Sequence, residues 1–187
     1  MVFINALFLC KSFALKTILS EQQISLTVKR LSHQILEDHL QLKDTVIIGI
    51  QPRGVHLSDR IVHELSELIP PAFIQYGKLD ITFYRDDIRK ELHVPNKTEI
   101  PFGIENKNVV IIDDVLYKGR TIRAALDALL DFGRPAKVGL CVLIDRRFSR
   151  EFPIQPDYVG RAIDTFSSQK VKVNWKEKDG KESVELI

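Results

Sequence analysis

Val109-Val-Ile-Ile-Asp-Asp-Val-Leu-Tyr-Lys-Gly-Arg-Thr121 decides how the chain is read, because it joins a buried strand, two carboxylates, a tight loop and the start of a helix. Val109 to Ile112 is a β-branched run too short for a helix and suited to a strand covered on both faces. Asp113 and Asp114 follow directly. Open α/β sheets bind ligands beyond the carboxyl ends of their strands, and successive strand side chains diverge, so the two acids can reach different groups of one ligand. In the loop Val115-Leu116-Tyr117-Lys118-Gly119-Arg120-Thr121, Gly119 permits close backbone approach, and Thr121 is expected to cap a helix beginning around Ile122. Free N–H groups and the positive end of the helix dipole make this loop a phosphate seat, with the Thr121 hydroxyl and Lys118 as further donors. The alternatives are a core strand ending in acids beside a solvated loop, or the metal-binding acid pair of another α/β enzyme; neither needs the Gly-x-Thr entry into a helix.

All thirteen positions fit the phosphoribosyl pyrophosphate (PRPP) signature of type I phosphoribosyltransferases, which the stretch resembles. The resemblance implies that the loop amides cradle the 5′-phosphate and that Asp113 and Asp114 hydrogen-bond the ribose 2′- and 3′-hydroxyls.

Outward from the signature, strands and helices alternate. Ser20-Glu-Gln-Gln23 reads as a capping box for a helix reaching about His39, with Ile24, Val28, Leu31, Ile35 and Leu36 at helical spacing. Thr45 to Ile50 reads as a buried strand, Gln51-Pro52-Arg53-Gly54 as a loop, and Leu57 to Leu68 as part of a helix stopped by Pro70-Pro71. A strand is expected over Lys78 to Tyr84, delivering Arg85-Asp86-Asp87, and residues 88 to 107 read as a long functional loop or loose hairpin. A helix over Ile122 to Phe132 is expected to stop at Gly133 and Pro135. A strand over Val138 to Ile144 should then lead into a charged segment, Asp145-Arg146-Arg147. Pro153 to Arg161 reads as a loop and short strand, Val171 to Trp175 as a strand, and Gly180 splits a final hairpin. The expected fold class is α/β, a Rossmann-like three-layer core with a mainly parallel sheet and right-handed crossovers, whose binding loops line one sheet edge.

Length and composition agree with one domain over residues 16–187, preceded by an extension over 1–15 that is either disordered or packed on the domain through Phe3, Leu7, Phe8 and Phe13. The apolar start, Met1 to Leu9, lacks the basic residue and cleavage pattern of a signal peptide and is too short to span a bilayer. The two cysteines lie far apart, and Cys141 sits in an apolar run as a core thiol, which suits a reducing cytoplasm. A net charge of +2 permits nucleic-acid binding without demanding it.

Longer motifs narrow the resemblance. Asp80-Ile-Thr-Phe-Tyr-Arg-Asp-Asp87, Asp114 to Leu129, Gly133-Arg-Pro135 and Pro156-Asp-Tyr-Val-Gly160 are similar to the pyrimidine operon attenuator and uracil phosphoribosyltransferase family (PyrR), from about Ile18 to the C-terminus. This implies a type I phosphoribosyltransferase fold with a flexible loop and a small base-binding hood. It also implies transfer of phosphoribose from PRPP to uracil, giving UMP and pyrophosphate with Mg²⁺, which would be held by substrate phosphates and water in preference to a protein cage. Arg53, with Pro52 and Gly54, is expected to face the pyrophosphate, although family loops usually carry Lys-Thr-Arg-Gly or Arg-Arg-Gly and Pro52 removes one N–H donor. An ordinary turn into a helix is the alternative there. Arg85 is expected to take up leaving-group charge, or else to pair with Asp86 or Asp87 at the surface.

On the base side, similar hypoxanthine and guanine enzymes place a Lys where this chain has Asp145, which argues against a purine. Arg146 and the backbone around Lys170-Val171 are expected to meet the base, with Arg146 and Arg147 read alternatively as a solvated basic turn. The family resemblance further implies a homo-oligomer that binds pyrimidine-operon leader RNA through Lys29, Arg30, His33, Arg134 and Arg147. Lys29 stands where RNA-regulating members often have Thr, and a charged helix face is commonly just solvated. The rival readings are a phosphoribosyltransferase for another base, and a non-catalytic RNA-binding attenuator that senses UMP or UTP.

Overall fold

The computed structural model describes residues 16–85 and 95–187. The extension over residues 1–15, together with Asp86, Asp87 and the rest of 86–94, lies outside them. Five strands form a wholly parallel sheet in the order β3-β2-β4-β5-β6. They are β2 (Thr45–Ile50), β3 (Gln75–Leu79), β4 (Asn108–Leu116), β5 (Lys137–Arg147) and β6 (Tyr158–Asp164). A second, antiparallel sheet in the order β1-β8-β7 combines β1 (Lys16–Ser20), β7 (Val171–Asn174) and β8 (Ser183–Leu186). The strand β1, which the sequence pattern does not reveal, brings the two ends of the described chain together.

The central strands are continuous apolar runs because both of their faces are covered. Alternate side chains enter two cores. Ile47, Val110, Ile112, Cys141 and Leu143 pack with helices α1 (Glu21–Asp38) and α2 (Gly54–Leu68) on one face. Val46, Ile48, Val109, Ile111 and Val142 pack with α3 (Arg120–Leu129) on the other. Fully burying such a side chain contributes about 1.5–3 kcal/mol. Cys141 is a buried free thiol whose pKa is pushed up by burial, in keeping with the core role read from its apolar surroundings.

The Ser20–Gln23 capping box forms as expected, with reciprocal hydrogen bonds between side chains and backbone at the start of α1. Several boundaries differ from the sequence reading. The expected strand over Lys78 to Tyr84 is displaced: β3 ends at Leu79, and Thr82–Tyr84 form a 3₁₀ turn. Asp80 ends the strand, because its carboxylate accepts the N–H of Thr82 at 2.8 Å and of Asn96 at 3.0 Å, competing with strand geometry. Within the expected 88–107 loop, Glu99 pairs with Lys78 and Ile104 is buried, so its described part is attached to the core.

Helix α3 begins at Arg120, earlier than expected, and Thr121 does not cap it. The N-cap is Gly119, in a left-handed conformation with φ 90° that a side chain would strain, and it makes no side-chain cap. Strand β5 runs on to Arg147 because β6 continues to pair with it, Asp145 opposite Ala162 and Arg147 opposite Asp164. The solvated turn considered for Arg146 is therefore overturned; this arginine is a strand residue and only 5% exposed.

Candidate active site

Strand β4 lies at the middle of the parallel sheet and carries Asp113 and Asp114 to its carboxyl end, where they are 6% and 8% exposed. Asp113 accepts the N–H of Asp114 at 2.9 Å. Burial drives the Asp113 carboxyl well above the usual carboxylate range, the charge of Asp114 adds to this, and the Asp114 N–H with the Arg85 and Arg53 guanidinium groups opposes it. Asp114 is raised by burial as well, and Arg53 pulls it back through charge and a hydrogen bond. Two acids held dry beside each other resist ionising until cations or hydroxyl donors arrive, which suits them to a ligand rich in hydroxyl groups.

Arg53 reaches the acids from the turn before α2. Its Nε lies 3.2 Å from Asp114 Oδ2, and it also donates to the carbonyl of Val173 in β7. The Gln51–Pro52 peptide bond in this turn is cis. Gly54 is needed for packing: a Cβ there would lie 2.6 Å from the Ile112 carbonyl oxygen and 2.9 Å from Asp113 Cα, so only glycine lets α2 start against the carboxyl end of β4.

Beyond the acids, Leu116 to Thr121 curl around a cavity of about 180 Å³ that is also lined by Arg85 and Asp113. A neighbouring cavity of about 340 Å³ is lined by Pro52, Arg53, Thr82, Asn96 and Asp114. Arg85, Asp113, Val115 and Thr121 border both, so the two are compartments of one cleft that meet at Asp113, while Asp114 faces the larger one. The expected phosphate-loop cations have a partner the sequence reading missed: Glu151 lies 2.5 Å from Lys118 Nζ and 2.6 Å from Arg120 Nε.

The base-side candidates are tied together by arginines. Arg146 sits 3.8 Å from the Tyr117 ring centroid, donates to Thr165 Oγ1 at 3.0 Å and to the Gln169 carbonyl at 2.9 Å, and so links the loop after β4 to the segment entering β7. Lys170 exchanges two backbone hydrogen bonds with Ile187, which leaves Lys170-Val171 at the margin of the small sheet. Asp145 is bound by Arg150, a residue the sequence did not single out. Arg150 donates as well to the carbonyls of Leu116, Tyr117, Arg146 and Ile154, so a single guanidinium braces the loop after β4, the end of β5 and Asp145. Its partners at 116 and 117 are more than thirty residues away along the chain, and no local pattern marks it.

The family of the phosphoribosyl transferase domain matches residues 14–178. Bifunctional protein PyrR of Picosynechococcus sp. is 47% identical over 171 residues, covering 91% of this chain and 96% of that protein. The protein of the same name from Deinococcus deserti is 46% identical over 172 residues, covering 91% and 93%. The chain belongs to the PyrR family of phosphoribosyltransferases. Among solved structures, a hypoxanthine phosphoribosyltransferase of Staphylococcus aureus overlays with a TM-score of 0.63 at 24% identity, covering 81% of this chain and 80% of that one. One from Trypanosoma cruzi overlays with a TM-score of 0.69 at 18% identity, covering 90% and 89%. These likenesses establish the type I phosphoribosyltransferase fold.

The basic residues named outside the cleft are not gathered on one face of the chain. Lys29, Arg30 and His33 are exposed on α1, whereas Arg134 follows α3 on the opposite side of the sheet. Arg30 is occupied by the carbonyls of Val159 and Gly160, at 3.1 and 2.6 Å, and so pins α1 to β6. Arg147 forms a two-pronged pair with Asp164 at 2.8 and 2.9 Å. Among the described residues, no helix is long and apolar enough to cross a membrane.

Proposed function

We propose that this PyrR-family protein transfers the phosphoribosyl group of PRPP to uracil, forming UMP and pyrophosphate. The observation that carries the reading is the buried Asp113–Asp114 pair standing between a glycine-started helix entry and the Arg53 turn, with Asp113 bordering both cavities of one cleft and Asp114 the larger one. Displacement at the ribose C1′ develops positive charge on the sugar, so the site gains most from groups that hold the ring hydroxyls and stabilise the departing pyrophosphate. In this reading Asp113 and Asp114 accept the 2′- and 3′-hydroxyls. Backbone N–H groups from Val115 to Thr121 hold the 5′-phosphate, and Arg53 and Arg85 face the pyrophosphate beside Pro52 and Gly54. Arg146 and the Lys170-Val171 backbone orient the base, with Asp145 held in place by Arg150. Uracil N1 is acidic enough that the site can act by holding its deprotonated form.

The oxygen donors of Asp113 and Asp114, next to a roomy cleft, suit a hydrated Mg²⁺ carried by the substrate's phosphates, since that ion favours carboxylate, phosphate and water ligands. When bound, Mg²⁺ would neutralise charge on the leaving pyrophosphate. The test is pyrophosphate release by purified protein given PRPP, Mg²⁺ and either uracil, hypoxanthine, guanine, orotate or no base. Release with uracil alone is expected, and release with a purine would overturn the base assignment.

A second activity, UMP-responsive binding of pyrimidine-operon leader RNA by a cytoplasmic homo-oligomer, is favoured by the exposed Lys29 and His33 on α1. Because Arg134 lies on the other side of the sheet, a joint surface with Arg30 and Arg147 requires another protomer. Filter binding of leader RNA with and without UMP, alongside sedimentation, tests it; RNA binding by a monomeric species would remove the composite surface.

A further inference from the structure

The phosphate seat contains a built-in anion. Glu151 is carried there by the main chain: its N–H donates to the Lys118 carbonyl at 2.9 Å and that of Phe152 does so at 3.3 Å, while Phe152 and Ile154 pack where a Gly119 side chain would point. From this anchored position its two oxygens engage Lys118 and Arg120 separately. Both cations border the cavity bounded by the Gly119 loop. The three side chains are 35–43% exposed, so the cluster faces solvent at the mouth of the seat and stays within electrostatic reach of a phosphate inside it. The same two pairings hold the Glu151 carboxyl below the ordinary range, so it stays ionised near neutral pH.

A loop built only to capture phosphate would leave both cations to the ligand. Here part of their charge is spent before a ligand arrives. We infer that Glu151 is a positioning residue that lowers the affinity of the seat for 5′-phosphates: it fixes Lys118 and Arg120 in place and offsets their charge. This deepens the proposed function and rests on it. One seat must hold the 5′-phosphate of substrate and product alike, and a fully cationic seat would retain the nucleotide after the bond at C1′ has changed. The pyrophosphate contacts near Arg53 are available to PRPP and not to the nucleotide, so weakening the shared 5′-phosphate contact favours nucleotide exit while substrate keeps its second anchor.

The sign of the effect separates this role from a merely structural one. Glu151→Gln keeps the length and one acceptor but removes the charge. Titration calorimetry with UMP at low ionic strength is expected to show roughly two- to fivefold tighter binding by Glu151→Gln than by the unaltered protein. The KM for PRPP should fall in the same direction, kcat should not rise, and the gain should shrink as salt increases. Glu151→Asp, which keeps the charge, should remain nearer the unaltered protein. Equal or weaker UMP binding by Glu151→Gln, with PRPP turnover intact, would overturn the inference and leave Glu151 as a loop brace. If the unaltered protein neither binds UMP nor turns over PRPP with any base, the proposed function itself falls, and this inference with it.

Discussion

The two ends of the cleft are built in opposite ways. The phosphate end comes almost entirely from nearby residues, since β4, the loop and the first turn of α3 supply Asp113 and Val115 through Ile122 to one cavity, joined among the described residues by Arg85. The larger end and the base side are assembled from the Arg53 turn, the Asp80–Asn96 corner, the end of β5 and the margin of the small sheet. The difference teaches where each end is vulnerable. A local site fails through its own residues, and an assembled one fails through the groups that hold its pieces together.

The largest effect should come from the phosphate end. Asp113→Asn with Asp114→Asn is expected to lower kcat/KM for PRPP by a factor on the order of 10²–10³, measured by pyrophosphate release. The protein should not lose stability. The folded Asp113 carboxyl binds its proton more tightly than an unfolded one, so its ionisation costs stability as pH rises from the ordinary carboxylate value through the raised one. Removing that ionisation should leave the thermal midpoint at neutral pH equal or higher; a clear drop would mean the acids are structural.

Arg150 joins the two ends, and Arg150→Met is expected to reduce turnover roughly 10²-fold by releasing the 116–117 loop and Asp145 together, with partial recovery in Arg150→Lys. If only the uracil KM moved, the brace would belong to the base side alone and the comparison would sharpen. Arg53→Gln, which removes the link between Asp114 and β7, should cost on the order of tenfold in kcat/KM. Because Arg53 lowers both acids' pKa values, this variant should also move the acidic limb of the pH–rate profile to higher pH; an unmoved limb would separate Arg53 from the ionisation that governs activity. The mildest change is Gly54→Ala, expected to cost about 1–3 kcal/mol in chemical denaturation as α2 is pushed off β4. Unaltered stability would show that this close approach relaxes freely.

Much of the architecture is legible without coordinates because parallel strands buried on both faces must be continuous apolar runs, and Thr45 to Ile50 and Val109 to Ile112 have no other reading of comparable economy. The capping box of α1 is legible for the same local reason. Strand ends are less so. The stop at Leu79 depends on the Asp80 carboxylate meeting Asn96, and the extension of β5 to Arg147 depends on β6 pairing beside it. Charged residues there look like a turn when read alone, and become strand residues only when a neighbour supplies hydrogen bonds and ion partners.

By itself, then, the sequence determined the alternation of strands and helices, the acids at the end of β4 and the glycine that opens α3, because hydrophobic period, turn chemistry and helix entry act over a few consecutive residues. Only the tertiary structure decided that β1 closes onto β8, that Arg30 pins a strand, that Arg150 reaches the loop at Leu116 and Tyr117 and that Glu151 sits beside Lys118 and Arg120. Each of these is a contact between segments far apart in the chain, and its partner is chosen by how the layers pack.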